Sequence, residues 1–343
     1  MDNLPLNNNN DNDDNEYYPN GNLRYKRDNN NVCHYYDVNG IKIHSGKFKN
    51  GKANGIGNYY YPNGNLRYNG EFKNAKPGGK GREYYKDGIL MYNGEFKDGQ
   101  RNGNGILYNE NSKLIYDGYW KNGKYNNYGK YYHDGKLIYK GCFKNGIRNG
   151  NGKYYEECEI LYCDEFMNNN GGYELVYNGG WYDGKYDGNG KYYEDSELIY
   201  DGGWENGKKK GNGKEYNIEG ELIYEGGWNN DKKNGYGKLY EDDDKYNCQL
   251  IYEGEFKDDK YNGFGKEYYD RKLIYEGLYK DGKYIEPTIK DEYLCLLCLN
   301  EKRVMAFIPC GHLSMCENCS YNYNEDKCII CRKDFSISYK IFF

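Results

Sequence analysis

The stretch that decides the fold is Tyr92–Tyr108, YNGEFKDGQRNGNGILY. Tyrosine, glycine and phenylalanine alternate at every second position of YNGEF, and two glycines and a leucine do so in GNGIL. This is the periodicity of a β-strand. Asp98-Gly99 lies between the two runs and suits the positive backbone angles of a tight hairpin turn. The stretch therefore predicts one β-hairpin.

The same unit recurs along most of the chain, and Tyr252–Tyr268, YEGEFKDDKYNGFGKEY, is a second clear copy. Most units follow one another after 23 or 24 residues, with a contracted unit at Tyr162–Tyr177 and an expanded one at Tyr224–Tyr252. The units begin at His44, Tyr68, Tyr92, Tyr116, Tyr139, Tyr177, Tyr200, Tyr224, Tyr252 and Tyr275. One hairpin alone is not stable, so stacked hairpins are expected to bury a continuous aromatic stripe against inward glycines.

The pattern of a tyrosine, a glycine two residues on, an aromatic residue four on, then NGxG and an aromatic pair resembles MORN repeats over residues 35–284. The resemblance implies a mostly β fold, an elongated single-layer twisted sheet of hairpins. It also implies scaffolding, self-association or placement near membranes, with contact to membrane lipid. The recurrent GxG lacks the GK[ST] ending of a phosphate-binding loop, so the glycines are interpreted as structural.

Four tryptophans occupy the inward aromatic slot of four units: Trp120, Trp181, Trp204 and Trp228. We expect them to be core residues rather than a ligand cage.

Composition limits the function. The chain has 343 residues, of which 46 are Tyr and 47 are Gly, and its net charge is -5. This charge argues against bulk attraction to nucleic acid, and no nucleic-acid partner is expected. No segment has the pattern of a secretion signal or a membrane span, so a cytoplasmic protein is expected, with membrane or cytoskeleton association as an open alternative. Residues 1–16 are rich in Asn and Asp and are expected to be disordered.

The C-terminal segment 295–332 reads CLLCLNEKRVMAFIPCGHLSMCENCSYNYNEDKCIICR. Its candidate metal ligands are Cys295, Cys298, Cys310, His312, Cys316, Cys319, Cys328 and Cys331. Two thiolates of a CxxC reach one tetrahedral zinc, and eight ligands predict two closed, structural zinc ions. So short a segment cannot bury enough apolar surface to fold alone, so zinc binding and folding are coupled.

The ligand order, with histidine fourth, resembles a RING finger, because the histidine of a PHD finger comes fifth. The sequence FIPCGHLSMCENC, followed by KCIICR, most resembles RINGs of the inhibitor-of-apoptosis type. Spacing alone leaves the pairing of the ligands open. The resemblance implies a cross-brace, with one zinc on Cys295, Cys298, Cys316 and Cys319 and the other on Cys310, His312, Cys328 and Cys331.

A RING resemblance also implies an apolar patch for a ubiquitin-conjugating enzyme, and the matching positions are Leu296 and Ile330; packing of both in the core is the alternative. Ile329 stands where many active RINGs carry proline. Arg332 matches the linchpin arginine that hydrogen-bonds both ubiquitin and the conjugating enzyme, against the alternative of an ordinary surface arginine. The implied mechanism is orientation of a ubiquitin thioester, without a nucleophilic cysteine.

The tail FSISYKIFF predicts a strand with one apolar face, formed by Phe335, Ile337, Tyr339, Ile341 and Phe343. In the inhibitor-of-apoptosis group such a tail helps two RINGs to pair, which favours a homodimer. Packing against the chain's own RING is the alternative.

Together these observations predict a disordered segment 1–16, a MORN array 17–284, a linker 285–291 and a RING finger with its tail, 292–343. The leading hypothesis is a RING-type ubiquitin ligase, whose partners are a ubiquitin-conjugating enzyme and ubiquitin, with the array as scaffold or targeting module. The alternative is a scaffold or membrane-proximal adaptor whose RING, a small α+β domain, is only an interaction module.

Overall fold

We analysed a computed structural model that describes residues 15–157, 172–241, 248–285, 295–297, 305–308, 313–315, 317–321, 323, 325, 327–332, 334 and 337–340. The chain divides into two compact units, one of residues 1–260 with 266–275, and one of residues 276–343 with the segment 261–265.

Long runs of hairpins make up the repeat region. Its strands are β1 Glu16–Tyr17, β2 Leu23–Arg27, β3 Cys33–Tyr36, β4 Lys42–Lys49, β5 Lys52–Tyr60, β6 Leu66–Lys73, β7 Lys76–Tyr84, β8 Leu90–Lys97, β9 Gln100–Tyr108, β10 Leu114–Lys121, β11 Lys124–His133, β12 Lys136–Lys144, β13 Ile147–Glu157, β14 Tyr173–Tyr182, β15 Lys185–Glu194, β16 Glu197–Glu205, β17 Lys208–Tyr216, β18 Leu222–Asn229, β19 Lys232–Glu241, β20 Gln249–Lys257, β21 Lys260–Tyr269, β22 Lys272–Lys280 and β23 Lys283–Tyr284. The C-terminal elements are β24 Met305–Ile308, β25 Leu313–Met315, α1 Glu317–Tyr321 and β26 Ile337–Lys340.

From β1 to β20 each strand pairs antiparallel with the next strand of the chain. The two strands of each unit are joined by a two-residue turn, and in the turn Asp98-Gly99 both residues have positive φ, 52° and 82°. Only this mirror-image turn matches the twist of the strands it joins. The prediction of a mostly β sheet of hairpins is confirmed.

A row of glycines crosses the sheet in register. Gly94 of β8 faces Gly105 of β9, and Gly105 faces Gly118 of β10. The same pairing continues through β13, where Gly152 faces Gly179 of β14 on the other side of the contracted unit. We call this set the glycine row. Its members leave the backbone bare on one face of the sheet, which we call the inner face.

Tyrosine rings lie directly on this bare backbone. A Cβ atom built on Gly105 would overlap the ring and hydroxyl of Tyr92, and the same relation holds between Tyr116 and Gly129. Tyr92 and Tyr116 are fully buried although the described strands of the repeat region form a single sheet. Burial raises the pKa of both phenols above its usual range. The glycine row is therefore the floor of the core.

Each of these tyrosines also satisfies a backbone group. The pairing register shifts between Gly94, which pairs with Gly105, and Phe96, which pairs with Arg101, so β9 carries two extra residues in a bulge opposite Glu95. The Tyr92 hydroxyl donates to the Glu95 carbonyl at 3.2 Å, and the equivalent bond from Tyr116 to the Tyr119 carbonyl is 3.0 Å. A buried carbonyl without a partner is costly, so the phenol stabilises the bulge as well as the core.

The rings form an unbroken chain of edge-to-face contacts. Tyr92 contacts Phe96 of its own unit at 5.2 Å between centroids and Trp120 of the next unit at 5.3 Å. The four tryptophans are buried, as expected for core residues, and the indole of Trp120 donates to the Gly105 carbonyl at 3.0 Å. Such pairs are favoured beyond the area they bury. Neighbouring units are thus joined through side chains as well as through backbone ladders.

The tight fit predicts different costs for two glycine substitutions. Gly105→Ala should destabilise the array by about 1 to 3 kcal/mol, because the new methyl group overlaps the Tyr92 ring. Gly99→Ala should cost less, about 1 kcal/mol, because a Cβ there makes only ordinary contacts and the cost comes from the strain of alanine at the positive φ of the turn alone. Denaturant unfolding followed by tryptophan fluorescence measures both values. Equal losses in the two variants would contradict the packing role of the glycine row.

The first unit carries His44 in the slot that tyrosine occupies elsewhere. His44 is fully buried between Phe48, Tyr59 and Phe72, and neither ring nitrogen has a hydrogen-bond partner. Burial, and to a smaller extent the nearby His34, lowers the pKa of His44 from 6.5 to about 4. The folded state therefore binds this proton less readily than the unfolded chain.

A pH dependence of stability follows from this depressed pKa. As the pH falls from about 6.5 to 4, the unfolded chain takes up the proton first and the array should lose up to about 3 kcal/mol. His44→Tyr should raise the melting temperature and remove this loss, and the matched variant Tyr92→His should add a second one. Thermal unfolding at pH 7 and pH 5 tests the pair. An unchanged pH dependence in His44→Tyr would refute the assignment.

Candidate functional site

The C-terminal unit contains a three-stranded sheet with β24 in the middle. Strand β24 pairs antiparallel with β25 on one side and with β26 on the other. The chain's last described strand, β26, therefore lies against its own domain, with Ile308 facing Ile337. This corresponds to packing of the tail against the chain's own RING, the alternative to a homodimer. Phe335, Ile341 and Phe343 lie outside the described residues.

Cysteines form the core of this unit. Cys295 and Cys328 are fully buried beside Met315, and Cys319 and Cys331 pack against them. The structure therefore brings together the four predicted zinc ligands that it describes.

Two hydrogen bonds hold the backbone that follows Cys295, which we call the first knuckle. Leu296 N–H donates to the Ser314 carbonyl at 2.8 Å, which joins the knuckle to β25. Leu297 N–H donates to the Cys295 sulfur at 3.4 Å. Both bonds hold the backbone around the predicted ligand Cys295.

These donors fit a zinc site. Buried cysteine thiols in a small domain are the ligands that structural zinc prefers. Within the described segments no three donor side chains form a metal cluster. The remaining predicted ligands, Cys298, Cys310, His312 and Cys316, lie outside the described residues.

The turn formed by Cys328–Cys331, which we call the second knuckle, positions Arg332. Its backbone N–H donates to the Cys328 carbonyl at 2.8 Å, and its φ is 55°. The guanidinium contacts the Glu325 carboxylate at 2.8 Å, and both side chains are more than half exposed. Exposed ion pairs contribute only about 0 to 1 kcal/mol, so Arg332 can leave Glu325 at little cost.

The apolar surface differs from the expected one in a detail. Leu296 and Ile330 are half-buried, and Ile330 packs against the cysteine core. Leu297, the neighbour of Leu296, is 45% exposed, and Tyr321 at the end of α1 is 76% exposed. Sequence reasoning missed Leu297 because the spacing of a CxxC does not show which of its two inner residues faces solvent.

Comparisons with known families agree with both halves of this description. The MORN repeat model matches residues 44–66, 68–89, 92–112, 116–136, 139–155, 177–196, 200–218, 224–245 and 252–271. The model "Zinc finger, C3HC4 type (RING finger)" matches residues 291–337. The chain belongs to the MORN-repeat proteins and carries a C-terminal RING finger. Nine of the ten expected units are matched, and the unit at Tyr275 lies outside the matches.

Relatives of this MORN–RING protein match the RING region. It is 38% identical over 58 residues to "Apoptosis inhibitor IAP" of Cydia pomonella granulosis virus, over 17% of this chain and 20% of that protein. It is 34% identical over 58 residues to "E3 ubiquitin-protein ligase SPL2" of Arabidopsis thaliana, over 16% of this chain and 15% of that protein. The matched region is thus about a fifth or less of these two relatives.

Among solved structures, "Crystal Structure of TcdB2-TccC3" aligns with 75% of this chain and 15% of its own, at 10% identity and a TM-score of 0.14. Among the described residues, none of the helices has the length and apolar character needed to cross a bilayer.

RING fingers generally bind zinc, and this predicts a selective response of the MORN–RING protein to a chelator. Phenanthroline should unfold the RING and make its cysteines reactive toward a thiol reagent, because metal binding and folding are coupled. The fluorescence of the four tryptophans should not change, because all of them lie in the array. Unchanged reactivity of the cysteines after the metal has been shown to be removed would contradict a zinc-dependent RING.

Proposed function

We propose that this protein is a RING-type ubiquitin ligase that orients a ubiquitin-charged conjugating enzyme toward substrate lysines. The observation that carries the proposal is the RING match together with an exposed arginine, Arg332, directly after the last predicted ligand. Relatives named as an E3 ubiquitin-protein ligase and an apoptosis inhibitor support this class. Catalysis is by orientation, so the ligase itself needs no nucleophile.

Arg332 is the proposed linchpin. A planar guanidinium can donate to two acceptors at once, one on ubiquitin and one on the conjugating enzyme. Its weak surface pair with Glu325 keeps the side chain near the knuckle while leaving it available.

The proposed docking surface for the conjugating enzyme includes Leu296 and Ile330, and the exposed Leu297 is added to it. Apolar side chains that are exposed beside a rigid zinc knuckle suit a small protein interface. Ile329 keeps the loop after the seventh ligand apolar in place of the proline of many active RINGs.

Two zinc ions are proposed, in the cross-braced arrangement given above. Bound zinc fixes the two knuckles, and this chain's own residues then present Leu297 and Arg332 to the partner. Two ligands of each proposed site, Cys295 with Cys319 and Cys328 with Cys331, belong to the same buried cluster, which supports the proposal.

The MORN array is proposed to be the scaffold or targeting module, in a cytoplasmic protein that can associate with membrane lipid or the cytoskeleton. Homodimerisation through the tail remains part of the proposal. Strand β26 is an edge of its three-stranded sheet in the described residues, and edge strands can pair with a second chain.

Arg332→Ala should lower the rate of ubiquitin discharge from the conjugating enzyme to free lysine by roughly 10- to 100-fold, the loss of one or two charge-assisted hydrogen bonds. Binding of the uncharged conjugating enzyme should stay the same, whereas Leu297→Ala should weaken it more than Leu296→Ala does. Cys295→Ala, which disrupts the knuckle, is the inactive reference.

Arg332→Lys is the matched control, because it keeps the charge and removes the two-pronged donor. It should remain impaired. A zinc-loaded wild-type protein that stayed inactive with every conjugating enzyme of a panel would overturn the ligase proposal in favour of a scaffold whose RING is an interaction module.

A further inference from the structure

The outer face of the array carries a row of side chains next to the glycine row. These residues point away from the tyrosine rings, because successive residues of a strand face opposite sides. From β10 to β20 they follow one another in direct register, and we call them the outer row: Asp117, Lys130, Lys140, Lys153, Asn178, Lys191, Asp201, Lys214, Glu225, Lys238 and Glu253.

Charges alternate along the C-terminal part of this row, and each lysine there has a carboxylate partner. Lys191 contacts Asp201 at 3.2 Å. Lys214 contacts Glu225 at 3.4 Å, and Lys238 contacts Glu253 at 3.8 Å. Opposite charges on facing strands stabilise a sheet, so this part of the row is locally neutral and needs no ligand.

The middle of the row breaks this rule. Lys130 faces Lys140, and Lys140 faces Lys153, on strands about 4.8 Å apart. Lys140 and Lys153 are exposed, and no ion pair joins any of the three to the residues that the structure describes. Asp117 follows Lys130 in register without forming an ion pair, and Asn178 follows Lys153. Like charges directly opposite one another destabilise a sheet, so the three lysines oppose folding.

We propose that Lys130, Lys140 and Lys153 form a binding site for an acidic, extended segment of a partner protein. Clustered carboxylates would neutralise the three ammonium groups, which the sheet itself leaves unneutralised. Tyr128, 52% exposed and two residues from Lys130 on the same face, offers the segment an apolar contact.

The flanking charges favour a narrow ligand over a membrane surface. The three lysines span two strand spacings, about 10 Å, between Asp117 on one side and the uncharged Asn178 on the other. A flat anionic membrane would extend over Asp117 and over the locally neutral ion pairs beyond Asn178, whereas a peptide laid across the three strands would meet mainly the lysines. That the acidic partner is a ubiquitination substrate rests on the proposed function, but the binding itself does not.

The test uses the full chain and a fluorescent hexaglutamate peptide, with hexaglutamine as the neutral control. The triple variant K130Q/K140Q/K153Q is compared with K191Q/K214Q/K238Q, which removes three lysines of the same row that have partners. We expect anisotropy to show a salt-dependent affinity that falls at least about tenfold in the first variant and changes little in the second. We also expect the first variant to melt at a higher temperature than the wild type, because repulsion is relieved.

Equal losses of affinity in the two triple variants would overturn the proposal, since the effect would then come from net charge alone. So would binding to phosphatidylserine vesicles that needs the three lysines while hexaglutamate does not bind. Ligase activity toward free lysine should be the same in both variants, so failure of this proposal and failure of the ligase proposal are distinguishable.

Discussion

The fold depends on one contact, a tyrosine ring laid on glycine backbone. A single-layer sheet has no second layer to cover its apolar face, so the core must lie within the height of one ring above the strands. Gly105 has no side chain, so the Tyr92 ring can lie directly on its Cα and become fully buried. The same phenol then donates to the Glu95 carbonyl, opposite the bulge in β9. One side chain thus provides both packing and a hydrogen bond to the backbone.

Much of this architecture could be predicted from the sequence, because the period of two and the Asp-Gly or Asn-Gly turns are local signals. The turn at Asp98-Gly99 has the expected backbone. The bulge in β9 opposite Glu95 could not be predicted, because the period of two does not show where the pairing register between two strands shifts. The outer row was also hidden, since its lysines are far apart in the chain and meet only through strand register.

At the RING the sequence is more informative about chemistry than about surface. Ligand spacing gave the eight donors, and the four that are described do pack together. The roles of Arg332, Leu296 and Ile330 stay predictions, and the domain boundaries do as well. The spacing of the ligands does not distinguish Leu296 from Leu297, whereas the structure shows that Leu297 is the more exposed of the two.

The pairing of Gly152 with Gly179 shows that the glycine row continues in register although 26 residues separate its two neighbours in the chain. Only the strands need to match, and whatever joins them can change in length. A gene encoding such a protein can therefore gain or lose whole hairpins by tandem duplication without redesigning a core. Each hairpin gained lengthens the sheet by two strand spacings, about 10 Å. The number of hairpins between two points of the array therefore sets the distance between them, so evolution can change this distance in steps of one hairpin.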